Sequence, residues 1–573
     1  MCSSFHSMVR YMVLLALGAC FAAGPAAAQV FVPDDPVAVD PDRADIPPPA
    51  ERALSDYYDY YEQAVRNAGH TGGRAMNINT LGEVPRSSWY QPRHYQERMT
   101  KAELRRGPLR DDGPDASGPW RVTGGKSEGK SAGLTIVDES GDRYLLKFDA
   151  PGFLELSTGA EAIATRIFYA LGYHVPENYL VRFTRDQLTT DPQATFVGPT
   201  GEEEPLDAAA IDGILDAVAQ YPDGSYRALA SRFLEGRPLG PFRYHGTRPD
   251  DGNDIFPHEM RRELRGLRVA AAWLNHDDSR SINSLDVYVE DGGRSFVRHY
   301  LIDFGTTFGG GPLGPKGAWV GREYIADIDR VLTSAATLGF AGRPWTREDT
   351  PGIPAVGRYR IEYFEPTKWK PQYRNPAFSN MDRDDAFWMA KRIAHFTDAE
   401  LRALVETGRY TNPRATAYLT RALIARRDKI AEAYLGHGGG FDRFAVADGH
   451  VTFADLIAPK EATDARYTVR WFAFDNATGR RTDALGRDTL ARPSATLPAA
   501  DADYLVGAFA RVGHPGTTEV YVRHDEAPEV VGIRRHADGL PNTVPVWTVI
   551  PDRWRAAAPA ARPEVPVSTH GTP

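Results

Sequence analysis

The stretch Asn275-His276-Asp277-Asp278-Ser279-Arg280-Ser281-Ile282-Asn283, followed after one hairpin by Tyr300-Leu301-Ile302-Asp303-Phe304-Gly305, decides how this chain reads. Asp278, Arg280 and Asn283 put three chemistries on one loop: a carboxylate to orient a hydroxyl and accept its proton, a cation for a phosphoryl group in transfer, and an amide oxygen for a metal. Asp303 follows an apolar strand and precedes glycine, where its carboxylate is the hard oxygen ligand that Mg2+ prefers. Taken alone, HDD reads as a solvated acidic turn and DFG as a chance tripeptide. Their order is what counts, because only SLDVYVE, the turn DGG and a second strand separate them.

Upstream, WRVT, GLTIVD and RYLLKFD alternate as strands, with GGKSEGKS at 124–131 joining the first two. That octet satisfies the phosphate-loop pattern G-x-x-x-x-G-K-S through Gly124, Gly129, Lys130 and Ser131. The mechanism of such a loop requires a helix directly after the serine, and a strand follows instead. A glycine-rich turn between antiparallel strands, with Gly124, Gly125 and Gly129, can still cover phosphates with backbone N–H groups, or serve only as a hairpin tip. Lys147 sits mid-strand in YLLKF, where an ammonium needs a partner. Glu161 lies on the following helix, at the edge of the face that carries Ala164 and Phe168. Singly, each reads as a side chain reaching water; as a strand lysine followed by a helix glutamate they read as a pair.

The 573 residues exceed one core, so two to four domains are expected. A charged fraction of 25%, 42% apolar residues and a net charge of −9 describe a globular chain and disfavour nucleic acid as a partner. Both cysteines, Cys2 and Cys20, fall in residues 1–28, which have the three-part pattern of a secretory signal peptide, with Arg10, an apolar stretch and Ala26-Ala27-Ala28. Export to a periplasm or the exterior is expected, with a lipid anchor at Cys20 of Leu17-Gly18-Ala19-Cys20 as the alternative. No transmembrane segment is expected in the mature chain, and its chemistry has no thiol to use.

Residues 29–50 read as a Pro/Asp/Ala linker, 51–118 as an extension with two short helices, and 184–224 as an insertion. The segments 119–256 and 257–440 read as a strand-rich part and a helix-rich part. Alternating segments such as YTVRWFAFD and TEVYVRHD suggest a β-sandwich over 445–556, followed by a tail at 557–573. Aromatic residues there, Trp471, Phe472, Phe474, Tyr504, Phe509 and Tyr521, fall on alternating positions and read as core. The acidic PDDGND lacks calcium-loop spacing, and His258-Glu259 lacks a second zinc histidine.

Glycine-rich hairpin, strand lysine, helix glutamate, H-x-D-x-[KR]-x-x-N loop, hairpin and D-F-G occur here in the order of the protein-kinase-like superfamily, which 120–440 resembles. AEAIATRIFYALGYHVPENYLVRF and NHDDSRSIN resemble the HipA-like and CotH-like bacterial kinases, and the secreted atypical kinases generally, more than eukaryotic Ser/Thr kinases, and the layout resembles exported bacterial proteins. The resemblance implies an α+β, two-lobed fold and use of ATP with Mg2+ or Mn2+. Lys147 would contact the nucleotide phosphates and pair with Glu161, and Asp278 would orient an acceptor hydroxyl on a protein or small molecule. Arg280 would stand near the γ-phosphate, and Asn283 and Asp303 would hold the metal. Three departures mark it as atypical: no G-x-G-x-x-G, Asp277 where arginine is usual, and no A-P-E after D-F-G. An exported location, where ATP is scarce, keeps AMP transfer and a pseudokinase-like binding protein as alternatives.

Overall fold

The computed structural model describes residues 29–65, 72–125, 133–197, 202–325, 335–336, 345, 349–458 and 465–538. The proposed signal peptide, Gly129 of the glycine-rich loop and the tail lie outside the described residues. The chain forms two compact units, one of residues 38–79 and 83–437, the other of residues up to 37, 80–82 and from 438 on.

In the first unit, helices α1 (Asp56–Val65) and α2 (Lys101–Arg106) precede a seven-stranded sheet of order β4-β7-β3-β2-β1-β5-β6. Its strands are β1 (Trp120–Gly125), β2 (Gly133–Val137), β3 (Arg143–Phe148), β4 (Asn178–Phe183), β5 (Leu188–Val197), β6 (Glu203–Pro205) and β7 (Tyr226–Arg232). One face buries Val122, Leu134, Ile136, Tyr144 and Leu146, with alternation at the two-residue period that a one-sided sheet imposes. Helix α3 (Leu156–Leu171) ends at Gly172, whose φ of 113° allows its N–H to cap the last turn.

Residues 184–224, read as an insertion, belong to this sheet. Strand β5 pairs in parallel with β1, and helix α4 (Ala208–Asp216) buries Ile211 and Leu215 in the same core.

A second, three-stranded sheet has the order β10-β9-β8, from β8 (Arg237–Gly240), β9 (Ser284–Asp291) and β10 (Arg294–Leu301). The same unit holds helices α5 (Arg262–Leu274), α6 (Arg383–Ala394), α7 (Asp398–Glu406) and α8 (Pro413–Tyr434). Thr397 and Glu400 close a capping box on α7, and the α5 indole of Trp273 donates to the Leu423 carbonyl of α8 at 3.0 Å. The α+β class expected is the one observed.

The residues read as an extension are built into this unit. Trp89 stacks at 3.5 Å on His299, which hydrogen-bonds buried Asp286 at 2.7 Å; Asp286 also pairs with Arg248 at 3.0 Å. Residues 29–50 are not a free linker either, because Asp42 accepts from Ser88 Oγ at 2.6 Å inside this unit, while Phe31 is fully buried in the other.

That other unit holds β11 (Phe441–Ala447), β12 (His450–Asp455) and β15 (Ser494–Thr496) in one sheet. A five-stranded sheet of order β14-β13-β16-β17-β18 is made from β13 (Tyr467–Asp475), β14 (Arg480–Leu490), β16 (Tyr504–Arg511), β17 (Thr517–Arg523) and β18 (Glu529–His536). Phe441 and Phe453 of the smaller sheet share a core with Trp471, Phe509 and Val520 of the larger. Trp471, Phe474, Phe509 and Tyr521 are buried, so these rings are core and not a ligand face.

Candidate active site

Lys147 lies on β3 directly opposite Gly133, the first described residue after the glycine-rich turn. Gly124 and Gly125 end β1 on the neighbouring strand, and a side chain at Gly125 would run into Phe196 of β5. The octet therefore joins two antiparallel strands, which removes the phosphate-loop reading that requires a helix.

The Lys147 ammonium donates to Glu161 Oε1 of α3 at 2.7 Å and to Asp303 Oδ1 at 3.0 Å. Three residues from a strand, a helix and the D-F-G turn thus converge on one nitrogen. Burial alone would lower the Lys147 pKa, but the carboxylates of Asp303 and Glu161 outweigh it and raise the pKa, so the lysine is cationic at neutral pH. Glu161 is 3% exposed and the Asp303 side chain 40%, so one carboxylate is an internal anchor and the other faces outward.

The D-F-G turn is held on both sides. Asp303 has φ of 61°, a left-handed conformation that few residues other than glycine adopt and that aspartate tolerates better than most. Phe304 is buried and stacks on Phe168 of α3, ring centres 4.7 Å apart, with His276 at 5.7 Å. Gly305 leaves space that Glu161 needs, since a Cβ there would lie 3.2 Å from Glu161 Oε2.

The loop after α5 begins at Asn275, a left-handed C-cap. Burial pushes His276 down to about 4, so its ring is neutral and packs as an aromatic between Phe168 and Phe304. Asp278 is buried and pairs with Arg280, Nε to Oδ1, at 2.8 Å. Asn283 donates through Nδ2 to the Asp278 carbonyl at 2.8 Å, which fixes the amide. Strands β9 and β10 pair Ser284 with Leu301, and Ile302 N–H donates to the Asn283 carbonyl at 3.1 Å, so the hairpin returns Asp303 to Asn283.

The donor set fits a divalent cation of the magnesium type. Asn283 and Asp303 are oxygen donors from adjoining backbones, and a hard ion needs only one or two protein ligands when phosphates and water supply the rest. Among the described residues, no group of three or more His, Cys, Asp or Glu side chains forms a metal cluster.

One residue escaped the sequence reading. Lys316, in the run GGGPLGPKG after D-F-G, pairs with Asp277 Oδ1. Asp277, which departs from the usual arginine, is therefore the anchor of that run on the loop; burial raises its pKa and Lys316 opposes the rise. A lone lysine among glycines and prolines was the available signal, but spacing could not supply its partner.

Neither family models nor curated proteins match the chain. Among solved structures it is similar to "Crystal structure of the golgi casein kinase", at 10% identity and TM-score 0.29, over 70% of this chain and 96% of that one. It is also similar to "crystal structure of the Golgi casein kinase with Mn/ADP bound", at 10% identity and TM-score 0.29, over 68% of this chain and 94% of that one. At this distance no role passes to any residue, and the chemistry rests on the geometry above.

Proposed function

We propose that the chain is an atypical, kinase-like phosphotransferase that moves the γ-phosphoryl group of ATP to a hydroxyl acceptor. The observation that carries this reading is the meeting of Lys147, Glu161 and Asp303 at one ammonium, 14 and 156 residues apart from Lys147 in sequence. A purely structural ion pair gains nothing from a second, part-exposed carboxylate on a left-handed turn beside a buried amide.

In this reading Lys147, held by Glu161, binds the α/β-phosphates, and the backbone of the β1–β2 turn covers them. Mg2+ or Mn2+, held by Asn283 and Asp303, would offset phosphate charge. Asp278 orients the acceptor hydroxyl and takes its proton, while Arg280 holds the Asp278 carboxylate in place and lends positive charge to the same loop. The finer likeness to HipA-like and CotH-like bacterial kinases rests on residues 160–183 and the Asp278 loop alone, and export on residues 1–28.

Incubation with ATP and Mg2+ or Mn2+, followed by intact mass of protein and acceptor, tests the reading. A gain of one phosphoryl group is expected. A gain of AMP would replace it with nucleotidyl transfer. A melting temperature unmoved by millimolar ATP with metal would leave a binding protein, since a ligand of the native state must raise it.

A further inference from the structure

The backbone of the Asp278 loop is fixed at each carbonyl from 276 to 280. His276 accepts from Ser279 Oγ at 3.0 Å, Asp277 from Gln372 N–H at 2.9 Å and Asp278 from Asn283 Nδ2 at 2.8 Å. Ser279 accepts from Asn375 Nδ2 at 3.1 Å, and Arg280 from Asn283 N–H at 3.0 Å. These bonds leave the charge of the Asp277 side chain, 1% exposed, still to be answered. Lys316, its own side chain 11% exposed, places its ammonium on Asp277 Oδ1, and among the described residues no other cation lies within 4.0 Å of that carboxylate.

Lys316 is held from its own side as well. Its N–H donates to the Gly309 carbonyl at 2.9 Å, and its carbonyl accepts from Arg358 Nη1. The run that leads from Asp303 to Lys316 is pinned on the way. Phe308 N–H donates to the Leu274 carbonyl at the end of α5 at 2.8 Å, and the Gly311 carbonyl accepts from Ser157 Oγ of α3 at 3.2 Å. One ammonium therefore ties together two segments that carry chemistry: the run that Asp303 begins, and the loop in which Asp278 follows Asp277.

Stability alone does not call for an ion pair here, because a buried pair gains little over apolar packing of the same volume. Position does. Burial raises the pKa of Asp277, Lys316 opposes the rise, and the Asp278 carboxylate adds to it. Without the lysine, Asp277 and Asp278 stand as adjacent acids, with Arg280, 2.8 Å from Asp278, as the cation of their own loop. A buried carboxylate that loses its counter-charge forces its surroundings to rearrange, and Asp278 is the next residue along.

We infer that Lys316 is a positioning residue for phosphoryl transfer: through Asp277 it holds the Asp278 carboxylate where the acceptor hydroxyl must meet it. The role rests on the phosphotransferase reading and adds a residue to that site. In the step it serves, the acceptor oxygen bonds to the γ-phosphorus as the bond from that phosphorus to the β,γ-bridging oxygen breaks; the hydroxyl proton passes to Asp278 and ADP leaves. Lys316 touches neither nucleotide nor acceptor, so its loss should lower turnover and leave ATP binding as it was.

Steady-state ADP release by the full chain from ATP and Mg2+, with water as the hydroxyl acceptor, reads both quantities. Lys316→Met should lower kcat about 10- to 100-fold, as misplacement of a reacting group by about 1 Å does, with KM for ATP and the ATP-dependent melting shift unchanged. Lys316→Arg, which keeps the charge, should recover most of the loss. Asp277→Asn should lower kcat as Lys316→Met does, and combining the two should cost no more than about twofold beyond either alone, since they remove one contact. Circular dichroism melts identify the folded variants; Asp277→Asn preserves side-chain volume and tests the pair where Lys316→Met does not fold. Wild-type kcat in a folded variant, or losses that multiply in the double variant, overturns the inference. A raised KM with a lost melting shift in Lys316→Met also overturns it, because the lysine would then be a nucleotide ligand. Wild-type turnover with unaffected variants removes the role of Lys316 alone, whereas a wild type with neither turnover nor ATP-dependent melting shift removes the phosphotransferase reading and this role with it.

Discussion

At the residue scale, the chemistry depends on charges held by other charges. Asp278→Ala and Asp303→Ala should each abolish phosphoryl transfer to below detection in an intact-mass time course, because removing one such group costs several kcal/mol of barrier and each ~1.4 kcal/mol is tenfold in rate. Transfer at the wild-type rate by either variant contradicts the assignment. His276 gives a stability test with a definite sign. Its folded pKa, near 4 against an ordinary value of 6.5, means that the unfolded chain binds a proton first as pH falls. Its contribution is complete above 6.5 and declines by ~1.4 kcal/mol per pH unit down to about 4. The stability gap between wild type and His276→Gln should therefore narrow across that window in urea melts, and a constant gap would show that the ring is not buried neutral.

Elements are positioned by what glycine allows. Gly357 and Gly309 bring two backbones together so closely that a Cβ at Gly357 would sit 2.1 Å from Gly309. Gly357→Ala should destabilise the fold by at least about 3 kcal/mol, read as a fall in melting temperature, because the obstacle is backbone and cannot step aside. Gly213 in α4 is the contrast: nothing lies within 4 Å of an added Cβ, and the backbone is helical. Gly213→Ala should raise stability by about 0.5–1 kcal/mol through the entropy of the unfolded chain. Part of this was legible, since strand alternation marked β1 to β3 and apolar spacing marked α3. Strands β5 and β6 were not, because a sheet edge with polar residues carries no periodic signal of its own.

Across the whole molecule, the residues before the first sheet act as structure rather than as an attachment. Glu83 pairs with both Lys391 and Arg392 of α6, whose side chains are 2% and 5% exposed. Glu83→Ala would leave two buried cations without that carboxylate, a change that costs about 3–5 kcal/mol when a pair loses one partner. A large fall in melting temperature is expected, and Glu83→Gln should recover part of it. If Glu83→Ala melts like wild type, residues 51–118 do not carry the stability assigned to them.

The sequence by itself determined the chemistry available: carboxylates, Lys147 and an amide oxygen, with no thiol after residue 28, and their order along the chain. It also determined that strands dominate over 119–256 and helices over 257–440, because burial periods of two and 3.6 are written in the apolar residues. Tertiary structure alone decided that Lys147 faces Asp303 as well as Glu161, and that Asp277 holds Lys316. Those contacts join residues tens to hundreds of positions apart, and no local periodicity records which side chains a fold will bring within 3 Å. Energetically each ion pair is meaningful only once burial has removed its water, and burial is a property of the packed chain.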